Sequence, residues 1–299
     1  MEVAMSEPKL FSIAQQIEAF PPMPNTVSKV MEVTNNPESS ANDLVKAILP
    51  DQAMCIAVLK IANSVLYGRS KRLDSLENAV TVLGFNEIQN IILAKAAVTA
   101  FKRIPKAYRK EIDLFWDHAF TCGLAAKIIG EHINQPSGQF FIAGLLHDIG
   151  KLAMFLLLGE QYHISKWLSG FSNVTRIEEE KETFTITHDE VGGRLLKHWQ
   201  FPDTLIAAVY FHHAPRSNPK QQIYSLVIQV ADFLSFMYVQ PETADEQTLK
   251  TVLHDLLPNF EEQWRQQNLP FEEITLESWY TWLKIDRAHG SDILDILAS

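Results

Sequence analysis

The chain has 299 residues, 46% of them hydrophobic and 21% charged, with a formal net charge of −10. That length suits two domains, or one large domain with an extension. The acidic balance disfavours non-specific binding to nucleic acid or to an anionic membrane, and neither is expected as a partner. Two cysteines, Cys55 and Cys122, lie in apolar helical contexts and read as buried free thiols rather than a disulfide. This fits a reducing cytosol, and cytoplasmic residence is expected, with no signal peptide. The longest wholly apolar run, Leu152–Leu158, is too short to span a bilayer.

Residues 9–20 read as a short helix, stopped by Pro21, Pro22 and Pro24. Asn25 is expected to cap a helix over residues 26–35. Ser40, with Asp43 three residues on, opens the next through a capping box, and Pro50 ends it. A helix from Asp51 or Gln52 places Met54, Ile56, Val58, Leu59 and Ile61 inside. The loop NSVLYGRSKR, with Arg69, Lys71 and Arg72, is either a ligand or partner surface or a solvated basic loop. Helices over 75–83 and 87–101 follow, with Gly84 as the C-cap between them. The basic, Pro-containing connector 102–110 marks a boundary, giving an N-terminal helical lobe over 1–105.

The second lobe, 106–240, reads as helices over 114–132, 140–158, 162–171 and 188–199, then 203–213 between Pro202 and Pro215, and 222–239. The acidic stretch IEEEK (Ile177–Lys181) reads as a solvated helix end. Thr187 and Glu190 have the spacing of a capping box for the helix at His188. Residues 241–299 are more polar and read as a helical tail packed by Trp264, Trp279 and Trp282. No strand-like alternation of useful length occurs, so the expected fold class is all-α.

Polar side chains interrupt several apolar runs. The stretch FFIAGLLHDIGKLAMFLLL (Phe140–Leu158) carries His147, Asp148 and Lys151. Burying an unpaired neutral polar group costs about 2–7 kcal/mol, and a charge more. A bound metal, with His and Asp as adjacent ligands, is the simplest compensation. On one helix the two side chains stand about 100° apart and flank a single inward edge. His118, beside Asp117, precedes another apolar face, and Asp232 sits in VIQVADFLSF. Each alone reads more readily as a satisfied core group. Together they resemble the ligand sets that helical bundles assemble from several helices.

A second set is His188, His212 and His213. A helix start disfavours a charged imidazolium at His188 and leaves the neutral, ligating form. The His212–His213 pair reads either as ligands or as cations at a helix C-terminus. Nitrogen and oxygen ligands, with no thiolate expected nearby, suit one or two divalent ions: Fe, Mn, Zn, Ni or Mg. Two ions bridged by an aspartate lower the pKa of a bound water and clamp phosphate oxygens. Asp148 and Lys151 are therefore the catalytic candidates. Lys151 is placed either to meet a phosphate or, as a plain alternative, to snorkel at the helix surface.

The order His118, His147–Asp148, His188, His212–His213, Asp232 resembles the HD superfamily of metal-dependent phosphohydrolases. More narrowly, FPPMPNTVSKVMEV, VLKIANSVLYG, SLENAVTVLGFNEIQNIIL, GLLHDIGKL and HDEVGGRLLKHWQFPDTLIAAVYFHHAP, spread over roughly residues 10–240, resemble the HDOD family of bacterial signal-output domains. The resemblance implies an N-terminal helical lobe packed on an HD-like metal-binding lobe, and a role in signal transduction. It matches His118, His147, Asp148 and Asp232 to the superfamily's core ligands. His188, His212 and His213 match the second-metal ligands of binuclear members such as the HD-GYP phosphodiesterases, and Lys151 their lysine. Many HDOD members look degraded at these positions, so the full set favours retained metal binding. After His213 the chain reads APRSNPK, without a GYP-type motif, which does not support cyclic di-GMP hydrolysis. DQAM (Asp51–Met54) replaces a commoner DPxL. With no receiver, GGDEF or EAL domain attached, input is expected from a signalling partner protein or a small phosphorylated ligand. The two functional readings are a regulatory output protein and, as the alternative, an active phosphohydrolase on a nucleotide or other phosphoester.

Overall fold

Polar punctuation sets most helix boundaries in the N-terminal region. In the computed structural model, which describes residues 13, 15–64, 67, 72–102, 104–163, 174–217, 220–240, 245–269, 273–289 and 292–298, that region holds α1 (Asn25–Asn35), α2 (Ala41–Ile48), α3 (Gln52–Ala62), α4 (Leu76–Leu83) and α5 (Phe85–Ala100). Ser40 and Asp43 close both bonds of a capping box on α2. The Asp51 carboxylate accepts the Met54 amide at 2.9 Å and starts α3, and Ser75 caps α4 through the Asn78 amide. Asn25 does not cap α1; the cap position falls on Pro24, whose fixed φ leads directly into the helix. Gly84 ends α4 and starts α5 at φ +82°, ψ 169°, a region open essentially to glycine alone. Ile56, expected inside α3, is 48% exposed. Of the basic loop, Arg69 and Lys71 lie outside the described residues, and Arg72 is exposed.

The second region holds α6 (Arg109–His132), α7 (Ser137–Leu146), α8 (Ile149–Leu158), α9 (Val174–Phe184), α10 (His188–His198), α11 (Asp203–Phe211) and α12 (Gln222–Tyr238). α6 starts five residues before the expected Leu114, which is itself exposed. Most of the helix expected over 162–171 lies outside the described residues, and Tyr162 closes a short 3-10 turn, Gly159–Tyr162. The continuous helix expected over 140–158 is instead two helices. α7 ends at Leu146, and Asp148, at φ −98° and ψ 8°, starts α8. Apolar periodicity runs unbroken through the turn, which is why the sequence did not reveal it. By length and composition the stretch Ser137–Tyr162 passes for a membrane span, but 83% of its most apolar window is buried inside the fold.

Glycines set two close helix crossings around this turn. A Cβ on Gly144 of α7 would meet the Cys122 carbonyl oxygen and Gly123 Cα of α6 at 2.8 Å each. A Cβ on Gly150 of α8 would come within 1.8 Å of the His188 carbonyl oxygen and 2.7 Å of the Gly192 nitrogen on α10. The first crossing draws α6 to the His147 end of the turn. The second draws α10 to the Asp148 end.

The tail forms α13 (Glu246–Leu256), α14 (Phe260–Gln266), α15 (Glu273–His289) and α16 (Asp292–Ala298). Trp264 and Trp279 are fully buried, but Trp282 is 47% exposed and packs no core. The apolar core is continuous from Ile13 to Leu297. α16 packs on α5 and α3, and the buried Lys95 of α5 donates to the carbonyls of Ile296 and Leu297 at 3.3 and 3.0 Å. That ammonium satisfies carbonyls that the end of α16 leaves without an intrahelical partner. Arg287 of α15 pairs with Asp117 and donates to the Thr121 hydroxyl of α6. The tail is thereby fixed to both preceding regions. Among the described residues no strand occurs, and the fold is all-α.

Candidate metal centre

The turn between α7 and α8 brings the seven predicted ligands into two adjoining groups. His118 of α6, His147 of the turn and Asp232 of α12 form one; Asp148, His188 of α10, and His212 and His213 beyond α11 form the other. Within each group the candidate ligand atoms lie within 4.8 Å of one another. Asp117, next to His118, takes no part, because its carboxylate is engaged by Arg287.

Asp148 joins the groups, one oxygen to each. Its Oδ2 stands 3.3 Å from His147 Nε2 and 3.7 Å from His118 Nε2. Its Oδ1 stands 3.1 Å from His188 Nε2 and 3.8 Å from His212 Nε2. Asp232 Oδ1 is 3.1 Å from His118 Nε2 and 3.6 Å from His147 Nε2, and His213 Nε2 is 3.0 Å from His188 Nε2.

Four rings are held from behind, at Nδ1, so that Nε2 faces inward. His147 Nδ1 donates to the Gly144 carbonyl and His212 Nδ1 to the Val209 carbonyl, each at 2.7 Å. His118 Nδ1 meets the Ser235 hydroxyl at 2.9 Å, and His188 Nδ1 meets Glu180 Oε2 at 2.7 Å. Such bonds fix the tautomer and orientation of a metal-ligating imidazole.

Glu180 is the residue that the sequence reading misplaced. The IEEEK stretch belongs to α9, and Glu180 is 1% exposed, not a solvated helix end. Its carboxylate also accepts the His188 backbone amide at 2.8 Å and the Tyr162 hydroxyl at 3.0 Å. It therefore satisfies the first amide of α10, while Thr187 makes no side-chain cap bond and Glu190 pairs with Lys181. The available signal was spacing. Ile177, Glu180 and Phe184 follow the three- and four-residue rhythm of an inward helix stripe.

Three further residues lie against this centre. Lys151 is not a surface lysine; it is 3% exposed and its Nζ donates to Asp148 Oδ2 at 2.6 Å. A cysteine does lie near: Cys122, one turn past His118, is buried beside His147, and burial raises its thiol pKa, keeping it protonated. Cys55 is half-buried, and both cysteines are free. His188, expected neutral from its place at a helix start, is buried. Burial opposes its charge, but the Glu180 and Asp148 carboxylates outweigh burial and push its pKa up to about 9.

The remaining charges are interleaved. Burial opposes ionisation of Asp148, yet His147 and Lys151 hold it well below the usual carboxylate range. The neighbouring His118 and His147 imidazoles likewise depress Asp232 against burial. His147 is raised well above its ordinary value because Asp148 outweighs burial. Burial, then the charges on His147 and His188, push His212 down to about 3. His213 is also lowered well below its ordinary value by burial, with His212 and His188 adding to it.

The chemistry of this set fits a divalent metal. His147 Nε2, Asp148 Oδ1 and His212 Nε2 are buried without a hydrogen-bond partner among the described residues. Leaving such buried polar atoms unpaired costs about 1–3 kcal/mol each. All three point at places where an ion with bonds of about 2.0–2.2 Å to nitrogen or oxygen would satisfy them.

Comparison with known proteins agrees with this architecture. A Geobacter sulfurreducens HDOD domain protein of unknown function superposes with a TM-score of 0.69 at 20% identity, covering 97% of this chain and 98% of its own. A Marinobacter aquaeolei VT8 protein, provisionally named for signal transduction, gives 0.70 at 19% identity, covering 100% of this chain and 68% of its own. A Treponema pallidum (strain Nichols) protein without an assigned function is 24% identical over 258 residues. The match takes in 85% of this chain but only 49% of that relative, so the chain spans about half its length. The HDOD domain family matches residues 20–215, a span that includes six of the seven clustered ligands. The match covers more than half of the sequence, and the chain belongs to the HDOD family.

Proposed function

We propose that this HDOD protein is a signal-transduction regulator whose HD-type centre holds two divalent ions. His118, His147 and Asp232 would hold the first, and His188, His212 and His213 the second, with Asp148 between them. The observation that carries this reading is the division of Asp148, with one oxygen facing each histidine group. Fe, Mn, Zn, Ni and Mg all suit such nitrogen and oxygen donors. When bound, a metal pair supplies Lewis acidity and an activated water. The chain's own residues orient the donors, exclude bulk water and place the Lys151 ammonium at the Asp148 carboxylate. Input from a signalling partner protein or a small phosphorylated ligand in the cytoplasm completes the proposal.

A second reading, an active metal-dependent phosphohydrolase, is favoured by Lys151. Its buried ammonium lies where a phosphate approaching Asp148 would meet a positive charge. Two proteins from Shewanella amazonensis SB2B with this fold carry provisional phosphohydrolase names, at 18% and 20% identity. Elemental analysis of protein purified without added metal tests the shared premise, and a content below a tenth of an equivalent ends both readings. A phosphoesterase panel with Mn, Fe, Ni, Mg and Zn then separates them. Turnover that disappears in Asp148→Ala establishes the enzyme; no turnover on nucleotides or generic esters leaves the regulator.

A further inference from the structure

A cavity of about 300 Å³ opens beside the second histidine group, between the segment that follows α11 and the tail. His213 forms part of its wall, and so does Gln229, one turn before Asp232 on α12. Leu257, Phe260 and Gln263 of the tail form the opposite side. All of that tail wall, and Gln229, lie beyond the span that matches the HDOD family.

Its lining is selective in chemical terms. Leu257 and Phe260 offer apolar surface, while Gln229 and Gln263, each only 8% exposed, offer amides. Gln263 Oε1 has no hydrogen-bond partner among the described residues. An unmade buried acceptor asks for an N–H or O–H donor. An alkyl group would leave that acceptor unpaired, whereas a flat heterocycle presents apolar faces and N–H edges together. Arg216, at the same wall, is paired with Glu262 at 3.2 Å. Both side chains are more than half exposed, so the pair is weak and opens at little cost. A guanidinium released there suits a phosphate. The volume lies at the small end of ligand sites, about 300–1,000 Å³, and admits one ring with its sugar but not two.

We propose that this cavity is the ligand subsite of the metal centre, taking the organic part of a phosphorylated heterocycle of single-nucleotide size, with the tail selecting the ring. The proposal rests on the metal reading for the phosphate end and on the cavity alone for the ring end. The probes are the four 5′-ribonucleoside monophosphates and inorganic phosphate, titrated calorimetrically into the full chain, both metal-loaded and chelator-treated. Metal content is measured on every sample.

At least one mononucleotide is expected to bind more tightly than inorganic phosphate by about tenfold or more, since it alone satisfies the buried amide. Gln263→Leu, which keeps the volume, and Leu257→Trp, which fills the cavity, should each remove that advantage while leaving metal content and phosphate affinity unchanged. The proposal is overturned if every mononucleotide binds no better than phosphate, or if both variants bind nucleotide as the parent does. Failure of the metal reading is separately visible as absent metal. Variant-sensitive nucleotide binding by the chelated chain would still uphold the subsite.

Discussion

The two halves of the centre are built differently. The first half, His118, His147 and Asp232, is held by neutral groups: a backbone carbonyl behind His147 and the Ser235 hydroxyl behind His118. Its His118 side chain is 22% exposed. The second half has a buried carboxylate behind it, since Glu180 holds both the ring and the backbone amide of His188. Both kinds of support fix geometry, and a carboxylate, being charged, raises the basicity of the ligand more than a neutral acceptor does. Asp148 stands between these two regimes. The difference implies that the halves can be disabled one at a time, and that only Asp148 disables both.

Asp148→Ala gives the largest expected effect. It removes an oxygen from each group, together with the carboxylate that pairs with Lys151, so both ions should be lost in elemental analysis. Gly150→Ala comes next. Its Cβ would collide with the His188 carbonyl and force α8 from α10, costing about 1–3 kcal/mol in chemical denaturation. It should release the ion of the second half and spare that of the first. Glu180→Gln keeps the volume but removes the charge. The second ion should bind about 10–100-fold more weakly in a chelator competition, with the first unchanged. Equal weakening of both would erase the distinction between the halves. Ser235→Ala, which touches only the neutral support of His118, should weaken the first ion by less than Glu180→Gln weakens the second, in the same competition.

Legibility in the sequence also divides along this line. His147, Asp148 and Asp232 were visible because charges inside apolar runs demand partners. Proline stops, the Ser40 box and the glycine at 84 gave helix boundaries close to those observed. The turn at His147–Asp148 was not legible, because the flanking helices are so uniformly buried that no change of face marks their junction. Glu180 was hidden for a different reason. Glu178, Glu179 and Glu180 are the same residue type in a row, and only their register against Ile177 and Phe184 separates the buried one from its exposed neighbours. Lys151 was ambiguous because a long side chain three residues from an aspartate serves a surface as readily as a core. The Thr187–Glu190 spacing misled because the Glu190 carboxylate is drawn to Lys181, while the start of α10 is served by Glu180 at the His188 amide.

Metal stoichiometry across three proteins tests the central claim most directly. Parent protein, Glu180→Gln and Asp148→Ala are loaded with the same divalent ion, passed through one weak-chelator wash and assayed for bound metal. A bridged centre with unequal halves predicts about two ions for the parent, about one for Glu180→Gln and none for Asp148→Ala. A parent that holds no metal, or an Asp148→Ala protein that keeps as much as the parent, would contradict it.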